Sequence, residues 1–210
     1  SPPELSVQVT MSSGELVLVS TIVKTEYRKF ILQKRNALEV SKVLNLSKII
    51  TRIADLELSL HSIKTLGCYF SSRNEVDLKN LVTKRLKKNL ITSFPRIGHN
   101  HSMELIAPKN IHKLNKNKYG ISEPSDGNTI CPLEHEIILI PTVGVDSNGY
   151  RLGYGGGYYD RLLGSISQTN NKPLLIGLIY DFQFIDNSIS EEHDIKLDMA
   201  FSEQQIKRFS

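Results

Sequence analysis

Residues 137 to 163 read I-I-L-I-P-T-V-G-V-D-S-N-G-Y-R-L-G-Y-G-G-G-Y-Y-D-R-L-L. An apolar run ends at Pro141, and a turn-forming patch follows (Asp146, Ser147, Asn148, Gly149). Arg151 comes next, and then Gly153, Gly155, Gly156 and Gly157 fall within five positions. Glycine costs backbone entropy, so such density needs a cause. The physical candidate is close approach of bare backbone N–H groups to an anion, with a helix opening at Tyr158 adding its positive end. The run lacks the G-K-[ST] close of a P-loop, and Tyr158 stands where the dinucleotide fingerprint needs its last glycine. Arg151 is placed to add a forked contact to a phosphate oxygen.

Outward from this stretch the chain alternates helical and strand patterns. From Thr21, Ile22, Val23, Glu26, Tyr27, Phe30, Ile31 and Lys34 recur at helical steps, with Lys24, Arg28, Lys29, Lys34 and Arg35 on the other side. Ser41 is a plausible cap for a second helix to about Leu58, with Val43, Leu46, Ile49, Ile50 and Ile53 inward. Lys64 to Phe70 reads as a buried strand and Asp77 as the cap of a third helix, Leu78 to Lys88, whose basic end suits the macrodipole. Further strands are expected at Leu90–Phe94, stopped by Pro95, at Met103–Ala107, at Glu136–Ile140 and at Leu174–Tyr180. A helix is expected from Tyr158 to about Ile166, and the polar stretch from Pro108 to Cys131 reads as a long loop.

This pattern predicts an α/β fold with a mostly parallel sheet covered on both faces. Ligands of such sheets gather at the carboxyl ends of strands, here after Phe70, Ile140 and Tyr180. A chain of 210 residues, 40% of them hydrophobic, suits one domain. Residues 1–20 read as a disordered leader or an artificial remnant, and 21–210 as the single domain. The net charge of +4 is too mild to argue for nucleic acid, and no apolar run reaches the length of a membrane span. Cys68 and Cys131 lie far apart without metal or redox spacing, which points to a reducing, cytoplasmic setting.

Asp160 lies in the first turn of the expected helix, where a carboxylate serves either the dipole or a Mg²⁺ ion beside a phosphate. Asp194 is the leading second acid, though spacing alone leaves that pairing open. Lys24 and Arg28 share a helix face and either meet solvent or reach a polyphosphate. His99, His101 and His193 do not stand at metal-ligand spacing, and no nucleophile elbow is present.

Together the run R-L-G-Y-G-G-G-Y-Y-D-R-L-L, K-T-E-Y-R at Lys24–Arg28 and Y-F-S-S-R-N-E-V-D at Tyr69–Asp77 resemble the 5-formyltetrahydrofolate cyclo-ligase family. F-P-R at Phe94–Arg96, G-I-S-E-P at Gly120–Pro124 and H-D-I-K-L-D at His193–Asp198 fall in the same order, so the likeness covers nearly the whole chain. It implies a three-layer α/β/α sandwich (NagB/RpiA/CoA-transferase-like, Rossmann-like) and a cytoplasmic monomer without nucleic-acid or membrane partners. It further implies ATP- and Mg²⁺-dependent closure of 5-formyltetrahydrofolate to 5,10-methenyltetrahydrofolate, with release of ADP and phosphate. In that chemistry the formyl oxygen is phosphorylated, N10 attacks the activated carbon, and phosphate leaves.

Carried onto this chain, the resemblance implies ATP contacts at Lys24, Arg28, Arg151, Leu152, Gly153, Tyr154, Gly155, Gly156, Gly157, Tyr158 and Tyr159. Folate contacts are implied at Phe70, Glu75 and the Tyr154–Tyr158 segment, Mg²⁺ ligands at Asp160 and Asp194, and catalytic roles for Arg151 and Asp160. Two positions depart from the family pattern: Phe70 stands where an aliphatic residue is common, and Gly156 where many members carry lysine or another residue. Two other readings are a phosphate-ligand enzyme on a related scaffold and a family member whose basic first helix binds nucleic acid. Neither accounts for the loop, both aspartates and the ordered motifs together.

Overall fold

A computed structural model describes residues 13–164, 166, 169–191 and 194–209, with side chains from residue 21 onward. In chain order the helices are α1 (Ser13–Asn36), α2 (Val40–Leu58), α3 (Lys79–Lys87) and α4 (Tyr158–Gly164). The strands are β1 (Thr65–Gly67), β2 (Ile91–Ile97), β3 (Met103–Ala107), β4 (Leu114–Lys116), β5 (Ser122–Pro124) and β6 (Asn128–Ile130). They continue as β7 (Ile137–Leu139), β8 (Gly144–Val145), β9 (Arg151–Leu152), β10 (Leu174–Leu178), β11 (Met199–Phe201) and β12 (Ile206–Arg208). The main sheet runs β12-β11-β10-β7-β1-β2-β3-β6. Its middle, from β11 to β2, is parallel, and antiparallel strands flank it on both sides.

The apolar runs of the central strands are continuous because both faces are covered. Ile137 and Leu139 of β7 turn to one cluster, with Ile50 and Ala54 of α2 and Leu81 and Val82 of α3. Ile138 and Ile140 turn to the other, with Tyr159 and Leu163 of α4. A third cluster joins Tyr27 and Ile31 of α1 to Val143, Leu152 and Ile185 around the β8–β9 hairpin. The result is the expected three-layer α/β arrangement.

Several local expectations change. Helix α1 opens at Ser13, inside the stretch read as a leader, while residues 1–12 lie outside the described residues. Its inward face carries Lys24, Tyr27, Ile31 and Arg35, and Ile22 is half exposed. The cations placed on the far side are therefore partly inward, since long side chains carry their stems into a protein wall. Glu39, not Ser41, is the residue before α2, and it makes no side-chain cap bond. Ile49 faces outward, while Val43, Ser47, Ile50, Thr51 and Ala54 are buried. Asp77 does support α3, accepting the Lys79 N–H at 2.8 Å.

Strand β2 passes through Pro95. Cys68 N–H donates to the Ser93 carbonyl, so the next rung on the β1 side falls to a proline nitrogen without hydrogen. The parallel ladder ends there, and the antiparallel ladder to β3 continues as Pro95↔Leu105 and Arg96↔Glu104. The supposed loop of Pro108–Cys131 contains the β4–β5 hairpin and β6. Turn residues between short paired segments hid them.

The basic end of α3 also does more than face the macrodipole. Arg85 is fully buried and donates to the carbonyls of Leu60, Ile63, Lys64 and Ile91 and to the Thr92 hydroxyl. One guanidinium thus joins the entry to β1 to the entry to β2. Arg85→Ala is expected to cost about 3 kcal/mol by leaving buried carbonyls unpaired. Thermal unfolding should register this as a fall in Tm on the order of 10 °C.

Candidate active site

A cavity of about 780 Å³ opens at the carboxyl ends of β1 and β7. Of the three loops expected at this edge, those after Phe70 and Ile140 reach it (Ser72, Arg73, Glu75; Pro141). The segment directly after Tyr180 does not, and Glu191 and Asp194 from further along the tail line it instead. Besides Arg73, Glu75 and Glu123, charged residues come from α1 (Lys24, Arg28), β9 (Arg151), α4 (Asp160) and the tail (Glu191, Asp194). Apolar residues come from strand ends and the β4–β5 hairpin: Phe70, Pro95, Ile97, Met103 and Ile121. Phe70 stacks on Phe94 with ring centroids 4.3 Å apart.

The glycine loop hangs between β9 and α4. Gly155 (φ 91°) and Gly157 (φ 63°) hold left-handed conformations that a side chain would strain. Its carbonyls are claimed by cations: Arg28 Nε donates to Gly153 O at 2.8 Å, and Arg161 donates to Gly156 O at 2.7 Å. The backbone N–H groups of residues 153–157 have no hydrogen-bond acceptor among the described residues. With carbonyls held back and amides free, the loop is a donor surface suited to an anion. Helix α4 is only seven residues long, shorter than expected, so amides and cations carry more of this task than its dipole.

Arg151 is buried at the floor of the cavity. It pairs with Asp160 Oδ1 at 3.0 Å and donates to Pro141 O at 3.3 Å. Its Nε–H is buried without a partner among the described residues, and so is the Tyr159 hydroxyl. Lys24 bridges two carboxylates, Asp194 at 2.6 Å and Glu191 at 2.9 Å. Arg28 is pressed downward in pKa, first by burial and also by the nearby Arg151 charge, while Asp194 opposes the shift.

Asp160 and Asp194 both line the cavity, each with one oxygen engaged. Asp194 Oδ2 takes Lys24 and the Glu191 N–H, and Asp160 Oδ1 takes Arg151. The other oxygen of each has no hydrogen bond among the described residues. Among those residues no group of three or more His, Cys, Asp or Glu side chains forms a metal cage. Two carboxylates with spare oxygens fit the habit of Mg²⁺, which completes its shell with phosphate and water.

Glu75 is buried, and burial pushes its carboxyl above the usual range while Arg35 opposes the shift. Its Oε1 accepts the Tyr154 hydroxyl at 2.7 Å, and its Oε2 accepts the Ser72 N–H at 2.8 Å. The Leu152 side chain, by contrast, belongs to the core, so only its backbone faces the cavity. Tyr159 packs largely into the core beside Leu163. Of the H-D-I-K-L-D motif, His193 lies outside the described residues.

Four participants went unassigned in the sequence. Glu191 shares Lys24 with Asp194. Tyr119, at the tip of the β4–β5 hairpin, meets Tyr158 with hydroxyls 3.2 Å apart. Glu123 fixes that hairpin through Ile97 N–H (2.9 Å) and Asn117 (2.8 Å). Arg35 reaches Tyr154, and its spacing of seven from Arg28 on the same helix was the signal available.

The profile of the 5-formyltetrahydrofolate cyclo-ligase family matches residues 20–203. A 5-formyltetrahydrofolate cyclo-ligase of Mycoplasma genitalium is 32% identical over 178 residues, spanning 84% of this chain and 95% of that relative. The mouse protein of the same name is 26% identical over 189 residues, spanning 86% and 93%. The NMR structure of the Aquifex aeolicus 5,10-methenyltetrahydrofolate synthetase superposes with a TM-score of 0.76 at 30% identity, covering 89% of this chain and 92% of that one. The Mycoplasma pneumoniae 5,10-methenyltetrahydrofolate synthetase gives 0.69 at 28% identity, covering 86% and 98%.

Proposed function

The chain belongs to the 5-formyltetrahydrofolate cyclo-ligase family, and from that premise we propose that it closes 5-formyltetrahydrofolate to 5,10-methenyltetrahydrofolate with ATP as phosphoryl donor and Mg²⁺ as cofactor. The observation that carries the ATP part is the set of unpaired amides at 153–157, set beside Arg28 and Arg151 in one cavity.

The formyl oxygen leaves poorly as hydroxide or oxide, so the reaction needs it converted to phosphate. Transfer of the γ-phosphoryl group to that oxygen gives ADP. N10 then attacks the activated carbon, the ring closes, and inorganic phosphate departs. Such transfer asks the protein chiefly for positioning and charge neutralisation. Gly153–Gly157 donate amides to the phosphates, and Lys24, Arg28 and Arg151 supply positive charge. Asp160 and Asp194 would hold Mg²⁺, which when bound offsets phosphate charge. Tyr154 and Tyr158 turn the loop toward the folate, and Leu152 and Tyr159 support it from the core.

For the folate, Phe70 with Pro95, Ile97 and Met103 offers an apolar wall suited to a flat ring. Glu75 offers carboxylate oxygens to the donor edge of the pterin. These residues line one cavity, and the proposal takes the enzyme as a monomer with residues 21–210 as one domain. The two cysteines are free, in keeping with work in the cytoplasm, and no described helix is long and apolar enough to cross a membrane.

The direct test mixes purified protein with 5-formyltetrahydrofolate, Mg²⁺ and ATP and follows the near-ultraviolet band of the methenyl product. Product should form only when ATP is present, with ADP released in equal amount. Absence of product, or product formed at the same rate without ATP, would sink the proposal.

A further inference from the structure

The buried charge on α1 that the reaction does not use is Arg35. Its side chain is fully buried, and it makes no ion pair among the described residues. It donates to the carbonyls of Arg73 (2.9 Å) and Thr142 (3.3 Å), and its remaining nitrogen donates to the Tyr154 hydroxyl. A guanidinium can only donate, so that hydroxyl must spend its own proton on Glu75 Oε1, 2.7 Å away. The chain of bonds therefore has one polarity: Arg35 to Tyr154 to Glu75. The other Glu75 oxygen receives two more donors, the Ser72 N–H and hydroxyl. The ring of Tyr154 meanwhile lies within cation–π range of both Arg35 (5.5 Å) and Arg73 (5.7 Å).

Every partner of Glu75 thus presents a hydrogen to it, an arrangement that suits a carboxylate and leaves no acceptor for a protonated acid. We propose that Arg35 is a positioning residue for the folate side of the site, holding Tyr154 in place and Glu75 as an acceptor-only carboxylate through the Tyr154 hydroxyl. Because Arg28 grips Gly153 O and Arg35 grips the next residue, one helix face orients both the phosphate and the folate halves of the loop. This inference rests on reading Glu75 as a folate contact.

The groups around Glu75 settle what a pH profile should report. Arg35 is the cation that acts on it, and Arg73 stands over the neighbouring Tyr154 ring. Tyr69, Tyr154 and Tyr159 are each raised above the ordinary phenol value, chiefly by burial, and stay neutral. Burial favours the neutral form of Glu75, and Arg35 opposes burial. Removing Arg35 should move the acidic limb of kcat/KM for the folate to higher pH.

The experiment compares Arg35→Gln, Arg35→Lys, Glu75→Gln and the double Gln variant, measuring kcat and both KM values across pH. Arg35→Gln should raise KM for 5-formyltetrahydrofolate about tenfold or more. The KM for ATP should stay within about twofold. Arg35→Lys should restore part of the loss, and the double variant should be no worse than Glu75→Gln. An unshifted pH limb, equal damage to both KM values, or additive losses in the double variant would overturn the proposal. If Glu75→Gln leaves the folate KM unchanged, the folate-contact reading fails. If it raises that KM and Arg35→Gln does not, this inference fails alone. Should Arg35→Gln not fold, Tyr154→Phe removes the relaying hydroxyl with the cation in place and must give the same KM split and a pH shift in the same direction.

Discussion

Arg151→Ala is expected to lower kcat/KM for ATP by about a thousandfold or more, the usual cost of losing an arginine that neutralises a transferring phosphoryl group. The residue is buried at the cavity floor between Asp160 and the Pro141 carbonyl, so its fork is held in place before any ligand arrives. Its Nε–H is buried without an acceptor among the described residues, which a native protein rarely tolerates unless a ligand supplies one. The guanidinium also stands over the Tyr159 ring at 5.7 Å, fixing its plane. Arg151→Lys keeps the charge and loses the fork, so it should recover only part of the rate and remain on the order of ten- to a hundredfold low. Steady-state kinetics with ATP varied decide the matter, with Tm as a control for folding. If Arg151→Ala retained more than about a tenth of wild-type activity, its charge would not be serving the transfer.

The central fold was legible because its signals were continuous. The I-I-L-I run of β7 and the L-L-I-G-L run of β10 alternate between two buried faces, and that pattern has few readings other than a covered parallel strand. The β4–β5 hairpin was not legible. Its strands are three residues each, β4 is fully exposed, and Asn and Lys there carry no periodic signal. It is held by Glu123 bonding to Ile97 and Asn117, contacts that span distances no local pattern encodes. Helix α1 failed differently. The apolar stripe through Tyr27 and Ile31 does face inward, but Lys24 and Arg35, placed on the opposite side, are buried beside it. A face that lines a polar cavity breaks the rule that charges point outward.

The glycine loop could be read from composition, since close packing of glycine beside arginine has a short list of causes. What composition could not provide was which atoms are already spoken for. Arg28 and Arg161 bind the loop's carbonyls, and only with those bonds known do the free amides become an argument. The aspartates show the same limit. Spacing left Asp194 open as a partner for Asp160, the resemblance implied it, and the fold brings both to the lining of one cavity. Glu191, which shares Lys24 with Asp194, escaped because an acid in an S-E-E-H-D segment looks like an ordinary polar turn.

The second large effect is expected at Asp160. Asp160→Asn keeps the size of the side chain and an oxygen for Arg151, so it isolates the charge. Loss of that charge should reduce turnover on the order of a thousandfold, the scale of metal-assisted neutralisation of a phosphoryl group. It should also raise the Mg²⁺ concentration needed for half-maximal rate. The bonding pattern explains why Asp160 is the more sensitive of the two carboxylates. Asp194 is offset by Lys24 at 2.6 Å with Glu191 sharing the load, so a neighbouring acid remains if Asp194 is lost. Among the described residues Asp160 has Arg151 alone as its ion-pair partner, and that cation is needed at the phosphates. Asp160 would hold the cation through its spare oxygen while Oδ1 keeps Arg151 in place, which links metal binding to the positioning of positive charge. Titrating Mg²⁺ at fixed ATP for wild type, Asp160→Asn and Asp194→Asn tests this order. Equal Mg²⁺ dependence in wild type and Asp160→Asn would remove Asp160 from the metal's coordination and leave it only as the counter-ion that orients Arg151.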